Sequence, residues 1–352
     1  MQTFYTDLWH YLKEQTGLDR PAVLYGTGDG ADKIIRVLDS YGIPVSGIFA
    51  SPGFVRDRSF HGIKVTSFED LRERLGEKMI VLMCFGSSRP EVLSYVDEIS
   101  SVCEFYAPDV PVYGDKLFDL EFYNSNLDLL REARALLADD LSQMTFDNIC
   151  AARLTGDIRY LKEIELTQEE ADSLLPSSRQ GLFLDLGAYD GDTVHRYASV
   201  FNDLTGIIAV EPDPRNMRKL KENTKAYSNI EYVNGFISDE NATVNVKRNR
   251  GRGISIDKSG TQTTETATID SLVKGRQTAF IKFDVEGAEA AAIDGGSDTI
   301  KNSRPAMCVA CYHRSEDIIE LPLKMISLNK DYKIYMRHTP SVPAWDTYYY
   351  FV

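Results

Sequence analysis

The stretch Asp185-Leu186-Gly187-Ala188-Tyr189-Asp190-Gly191-Asp192-Thr193 closes an apolar run that reads as a buried strand. Glycines at a strand end let the backbone turn sharply into a helix and approach a ligand closely. The next apolar run ends in Glu211-Pro212-Asp213, at about the twenty-residue distance that brings a carboxylate to two ribose hydroxyls in a βαβ unit. Turn and acid together indicate a cofactor with an adenosine-type ribose. A dinucleotide would also need G-x-G-x-x-G before a helix whose N-terminus receives a pyrophosphate. Here Asp185, Asp190 and Asp192 crowd the turn. Three carboxylates repel a pyrophosphate and suit the ammonium and sulfonium charges of S-adenosylmethionine. The residues therefore favour that methyl donor.

A second acidic run follows Phe280: Lys282-Phe283-Asp284-Val285-Glu286-Gly287-Ala288-Glu289. Beyond it come Tyr312-His313-Arg314 with Glu316-Asp317, and a closing Tyr332…Arg337-His338…Thr347-Tyr348 pattern. In this order and spacing, together with the Asp185–Thr193 turn and Glu211-Pro-Asp-Pro, these motifs resemble the FkbM-type S-adenosylmethionine-dependent methyltransferases. The resemblance covers roughly Gly181 to Val352, and the D-V-E-G-A-E run is its most specific part. It implies a class I enzyme that methylates oxygen, often a sugar hydroxyl in a secondary metabolite or surface glycan. It also implies donor contacts from Asp185, Gly187, Ala188, Tyr189, Asp190, Gly191, Thr193, Glu211 and Pro212, with Gly235 and Phe236 at the adenine.

Such a transfer needs a hydroxyl oxygen held in line with the methyl group and the departing sulfur, and a base for the hydroxyl proton. Asp284, Glu286, Glu289 and His313 fall at the ends of successive apolar runs, where open α/β sheets bind ligands. Asp284 or His313 is expected as the base, with Glu286 and Glu289 holding substrate hydroxyls. Asp284 as ligand to a divalent cation is the alternative, although no metal is expected. Glu289 also suits the first turn of a helix for its own sake. His195 and His338 read as structural.

The N-terminal part has its own turn, Gly26-Thr27-Gly28-Asp29-Gly30-Ala31, a fair match to G-x-G-x-x-[G/A]. Its second strand ends in Phe49-Ala50-Ser51, with no acid for a ribose. An architectural or partner-binding role is expected there, with nucleotide or nucleotide-sugar binding as the alternative. A nicotinamide-dependent, sugar-modifying oxidoreductase built on this turn, and a non-catalytic binding protein, are the competing functions. The missing acid argues against the first, and the intact Asp284, Glu286 and His313 against the second.

The elements that must position these residues are two α/β series. In the first, AVLY, a glycine turn and a helix, then IPVSGIFA, KMIVLMCFG and the helix EVLSYVDEIS, imply a parallel sheet. The second runs from GLFLDLGA to the last residue, with IEYVNGFI as one strand, Ala288–Asn302 as one helix, and YKIYMRH and TYYYFV as a closing antiparallel hairpin. The expected fold is α/β with two Rossmann-like domains, the C-terminal one a class I methyltransferase sheet. The expected division is 1–120 Rossmann-like, 121–180 helical connector and 181–352 methyltransferase. Leu127, Leu130, Leu137, Leu141 and Met144 make a helical stripe in the connector, which packs on its own chain or could pair two subunits.

The chain has 352 residues, 43% hydrophobic and 26% charged, with a formal net charge of −14. That length suits two domains, and that charge makes nucleic acid an unexpected partner. No apolar run is long enough for a membrane helix. The amphipathic N-terminus does not read as a signal peptide, so no membrane and a cytoplasmic address are expected. Five cysteines at irregular spacings form no disulfide framework. Cys308 and Cys311 sit in an apolar run and read as core thiols. The dense basic stretch is Lys247, Arg248, Arg250 and Arg252, inside a polar excursion from Asn241 to Thr268. With Gly251 and Gly253 it reads as a closing loop that selects a small-molecule acceptor, with a nucleotide-linked or phosphorylated sugar as its class.

Overall fold

A computed structural model describes residues 2–248 and 254–352. Arg250, Arg252, Gly251 and Gly253 of the expected closing loop lie outside the described residues. The chain forms two compact units: Met1–Arg131, Leu141–Thr167 and His338–Asp346 make the first, and Glu132–Asp140, Gln168–Arg337 and Thr347–Val352 the second.

The first unit contains α1 (Leu8–Gly17), β1 (Ala22–Tyr25), α2 (Asp29–Tyr41), β2 (Val45–Phe49), β3 (Ser59–Phe60), β4 (Ile63–Thr66), α3 (Phe68–Leu75), β5 (Ile80–Met83), α4 (Pro90–Ser100) and β6 (Glu104–Tyr106). Its sheet has the order β3-β4-β2-β1-β5-β6, parallel except at β3–β4. Every residue of β1 and β5 is buried, as the continuous apolar runs of a doubly covered parallel strand require. Asp7 caps α1 by accepting the amide of His10, and Leu8, Trp9 and Leu12 join Ile34, Ile35 and Leu38 of α2 in the core.

Packing accounts for Gly26 and Gly30 of the first turn, while Gly28 is set by its backbone, at φ +119° with nothing within 4 Å. A Cβ on Gly26 would stand 2.5 Å from the Phe85 ring, and one on Gly30 would stand 2.2 Å from the Cys84 carbonyl oxygen. Asp29 and Asp32 occupy the first turn of α2, where they oppose an anion. At the end of β2, Ser51 hydrogen-bonds Tyr25. The segment His338–Asp346 also packs in this unit: Ser87 and Val342 exchange backbone hydrogen bonds, and Trp345 lies on Gly86.

The stretch expected as a helical connector holds α5 (Leu120–Ser125), α6 (Leu127–Ala135), α7 (Asp140–Thr155), α8 (Arg159–Lys162) and α9 (Gln168–Asp172), and its residues are divided between the two units. Its leucine stripe is not one helix face. The amides of Leu136 and Leu137 bond the carbonyls of Ala133 and Arg134, a tightened i→i+3 turn that ends α6. Leu130 and Leu137 are buried while Met144 is exposed.

The second unit contains β7 (Gly181–Leu186), α10 (Asp192–Val200), β8 (Leu204–Val210), α11 (Pro214–Asn223), β9 (Ile230–Val233), β10 (Phe236–Ile237), β11 (Ala242–Arg248), β12 (Ile254–Ile256), β13 (Gln262–Ala267) and α12 (Ile269–Val273). It continues with β14 (Thr278–Phe283), α13 (Glu289–Asp294), α14 (Ser297–Ser303), β15 (Ala306–Ala310), α15 (Asp317–Leu328), β16 (Ile334–His338) and β17 (Thr347–Phe351). The large sheet has the order β16-β17-β15-β14-β7-β8-β9. β9, β8, β7, β14 and β15 run parallel, and β17 runs antiparallel to β15. This is the class I methyltransferase arrangement. Connections reverse direction between β7 and β14, so the ligand crevice of such a sheet opens at the ends of these two strands. Cys308 and Cys311 are both buried.

Three stretches depart from the sequence reading, each at a glycine or in a β-branched run. IEYVNGFI bends at Gly235, where a Cβ would stand 2.6 Å from the Glu265 carbonyl oxygen. β9 therefore stays in the large sheet while β10 joins a small one, of order β10-β13-β11-β12. Within the expected closing loop, β11 and β13 are paired strands of that small sheet, in keeping with the Thr and Val residues of β11 and the threonines of β13. The helix expected over Ala288–Asn302 breaks at Gly295-Gly296. Cβ atoms there would stand 2.2 Å from the Ser238 carbonyl oxygen and 2.8 Å from Ile269. Among the described residues, no helix is long and apolar enough to cross a membrane.

Candidate active site

The turn after β7 and the acid after β8 form one hydrogen-bonded corner. Tyr189, in the left-handed region at φ +45°, donates its amide to Glu211 Oε2 at 3.1 Å. Glu211 Oε1 accepts the amide of Asp213 at 2.8 Å and the Asn216 side chain at 3.4 Å. Burial pushes the Glu211 carboxyl up to about 7 against the pull of these donors. Asp213 caps α11 ahead of Pro214, which fixes the direction of the chain leaving the corner. Asn234 donates to the carbonyls of Glu211 and Pro212, so Gly235 and Phe236 follow directly from this corner. Asp190 accepts from Asn223 through its carbonyl, Ala188 is buried, and Gly191 begins α10 at φ +95°.

At the base of the turn, Asp185 is fully buried and accepts the Thr193 hydroxyl at 2.5 Å. Its other oxygen has no hydrogen-bond partner among the described residues and lies 3.6 Å from Lys282 Nζ. Lys282 also donates to the Gly187 carbonyl at 2.8 Å and stands 3.6 Å from Asp284 Oδ2. Burial would strip this lysine of its proton, but Asp284 and Asp185 hold its pKa above the ordinary value. A buried cation thus ties the donor turn to the acid on the neighbouring strand. Gly187 makes that closeness possible: at φ +85°, its Cβ would stand 1.9 Å from the Asp284 carbonyl oxygen.

Asp284, directly after β14, is 24% exposed. Tyr312 and Tyr348 donate to its two oxygens, each at 3.2 Å, and His313 Nε2 lies 3.3 Å away. Burial alone would raise the Asp284 pKa, but Lys282, His313 and the two tyrosines hold it below the usual carboxylate value. His313 Nδ1 meets Glu289 Oε1 at 2.8 Å. Burial opposes a charged imidazole, yet Glu289, Asp284 and Glu286 together raise His313 to about 10. His313 therefore carries its proton at neutral pH and donates rather than accepts.

All four expected acceptor-side residues come together, with Glu289 turned away from the exposed side on which Glu286 lies. Glu289 is fully buried and accepts the Val285 amide as well as pairing with His313. It orients the imidazole and does not face a substrate. Glu286, 79% exposed and at φ +56°, lies 4.0 Å from His313 Nε2 and remains open to a ligand. Lys282, Tyr312, Tyr348 and Arg314, which donates to the Gly287 carbonyl, had no assigned part in the sequence reading. Lys282 left a signal, a charge within a strand whose six positions are all buried. Among the described residues, no group of three or more His, Cys, Asp and Glu side chains is placed to hold a metal ion.

The donor-side set fits an adenosyl sulfonium. It offers a buried acid with one unbonded oxygen, a second acid that can accept a further hydroxyl, and a glycine cradle between them. A family match and solved structures bear on the sequence and the fold. Residues 185–334 match the Methyltransferase FkbM domain. No curated protein matches the sequence. The crystal structure of methyltransferase FkbM from Methylobacillus flagellatus shares the fold, with 20% identity, 99% of this chain and 94% of that chain covered, and a TM-score of 0.75. A partial likeness, at 16% identity and a TM-score of 0.31, links 51% of this chain to 69% of Aeropyrum pernix fibrillarin, solved with natively bound S-adenosyl-L-methionine. Another, at 8% identity and a TM-score of 0.33, links 52% of it to 91% of a putative rRNA-methylase from Clostridium thermocellum. Residues 185–334 are an FkbM methyltransferase domain, and the chain that carries it is an S-adenosylmethionine-dependent methyltransferase.

Proposed function

We propose that the chain methylates a hydroxyl oxygen of a small, sugar-containing acceptor, with Glu211 and the Asp185–Thr193 turn holding the donor. When bound, the donor supplies an electrophilic methyl group. The observation that carries the acceptor side is the state of Asp284: an ionised, partly exposed carboxylate at the end of β14, beside the Gly187 turn. A group of that kind accepts a hydroxyl proton as the oxygen attacks. Tyr312 and Tyr348 fix its orientation. The imidazolium of His313, held by Glu289, stabilises its negative charge and leaves it the better-placed base of the two. Glu286, open to solvent, suits a hydrogen bond to another hydroxyl of a polyol. The N-terminal glycine turn takes no part in this reading: Phe85 and Cys84 crowd Gly26 and Gly30, and the strand after the turn ends without an acid for a ribose.

Transfer of a labelled methyl group from S-adenosylmethionine to a panel of glycosides, simple alcohols and primary amines tests the reading. Glycosides are expected to be labelled. Labelling of amines alone would overturn the hydroxyl assignment, and labelling of simple alcohols alone would overturn the sugar.

A further inference from the structure

α11 carries Arg215, Arg218, Lys219 and Lys221 against one acid, Glu222, in a chain whose net charge is −14. Glu222 is taken by Lys225, and Lys221 lies over the Tyr232 ring. Arg215, Arg218 and Lys219 are exposed and have no acidic partner among the described residues. With Glu222 and Asn223 they line one shallow surface depression. This face adjoins the donor corner at two points. Lys219 Nζ stands 5.8 Å over the ring of Tyr189, itself exposed, and Asn223 donates to the Asp190 carbonyl at 2.8 Å. From β11, Arg248 reaches to 3.7 Å from Asp213 at the start of the same helix. Cations of two separate elements therefore flank the turn that carries Glu211.

We propose that this face of α11 binds a phosphoryl group of the acceptor, so that the substrate is a diphosphate-linked or phosphorylated sugar. The proposal rests on the methyltransferase reading of the neighbouring turn. Guanidinium forks match phosphate oxygens two at a time. An acidic remainder steers an anion toward a basic face of this kind. Tyr189 offers an aromatic surface beside these cations on which a ring can lie. α11 thus adds a second set of cations beside Arg248, a described member of the basic stretch expected to meet an anion.

Calorimetric titration of the full chain with inorganic pyrophosphate and with uridine diphosphate tests the proposal. The comparison is wild type against the triple variant Arg215→Gln, Arg218→Gln, Lys219→Gln, with S-adenosylmethionine titrated into both. Saturable pyrophosphate binding is expected in wild type, weakened roughly tenfold or more in the variant and by added salt, with equal donor affinity in both. No binding of either probe, or equal binding by both proteins, overturns the proposal. Tighter binding of a single-stranded oligonucleotide than of either probe also overturns it, in favour of a polynucleotide. Failure of wild type to bind the donor would instead count against the methyltransferase reading, whatever the phosphate probes do.

Discussion

His313 Nδ1 and Glu289 Oε1 lie 2.8 Å apart, both inside the protein, and this pair sets the charge of the acceptor side. The His313 pKa is raised from its ordinary value to about 10, so the folded state holds this proton more tightly than the unfolded chain does. The resulting stability is fully present below about pH 6.5 and is lost as pH rises toward 10. Glu289→Gln should bring the imidazole titration down toward the ordinary range, read by nuclear magnetic resonance of the ring protons. It should also reduce the loss of stability between pH 6.5 and 10 in denaturant unfolding, since Asp284 and Glu286 still face the ring. An unchanged midpoint would show that Glu289 does not hold the charge.

Asp284→Asn is expected to lower turnover by about 10²–10⁴-fold, the range of a lost general base, with donor affinity unchanged. Tyr348→Phe removes one of the two hydroxyls on Asp284 and should cost less. Both effects are read as turnover under saturating acceptor, beside calorimetric titration of the donor. Loss of donor binding in Asp284→Asn would place the residue on the donor side.

Gly187→Ala puts a Cβ against a backbone carbonyl at 1.9 Å and at positive φ. Gly28→Ala meets only the backbone strain, at φ +119° with nothing within 4 Å. The first should destabilise its unit by about 2–6 kcal/mol, combining strain and overpacking. The second should cost about 1–3 kcal/mol. Denaturant unfolding of both variants checks the order, and equal losses would mean that β7 and β14 separate at little cost.

The large sheet was legible because its strands are short apolar runs separated by strong punctuation: the Gly187 turn, Asp213-Pro214, and the charged end of β14. The second halves of several elements were not. A bend at Gly235 and a break at Gly295-Gly296 each arise because another backbone passes too close for a side chain, and local sequence carries no trace of that neighbour. At the site, the types Asp284, Glu286, Glu289 and His313 were readable, but the inward turn of Glu289 was not. Nothing in the order of residues says that Glu289 turns inward to His313 while Glu286, three positions earlier, stays outside. Lys282 was readable in principle, since a lone charge in a fully buried strand needs partners. Tyr348 was not, because it reaches Asp284 only through the antiparallel pairing of Ala310 with Tyr348.

As the proposed donor anchor, Glu211 should make donor binding depend on pH near neutrality. Burial raises its carboxyl to about 7, so below that pH much of the unliganded protein carries a neutral Glu211. In the folded protein alone the sign is unfavourable at higher pH. An acid with a raised pKa binds its proton more tightly when folded, and stability falls as pH climbs from about 4.5 through 7. The donor reverses this preference, because ribose hydroxyls donate to the ionised form. If only that form binds, about one protein in ten is competent at pH 6 and about nine in ten at pH 8, so the apparent Kd should fall roughly tenfold between them. Glu211→Gln keeps the shape and removes the titration. Its affinity should be weaker than that of wild type at pH 8 by about 1.5–3 kcal/mol, the value of hydrogen bonds to a charged group, and flat between pH 6 and 8. Calorimetric titration of S-adenosylmethionine into both proteins at the two pH values decides the matter. A wild-type affinity that does not change with pH, or a variant that binds as tightly as wild type at pH 8, would remove Glu211 from the donor site.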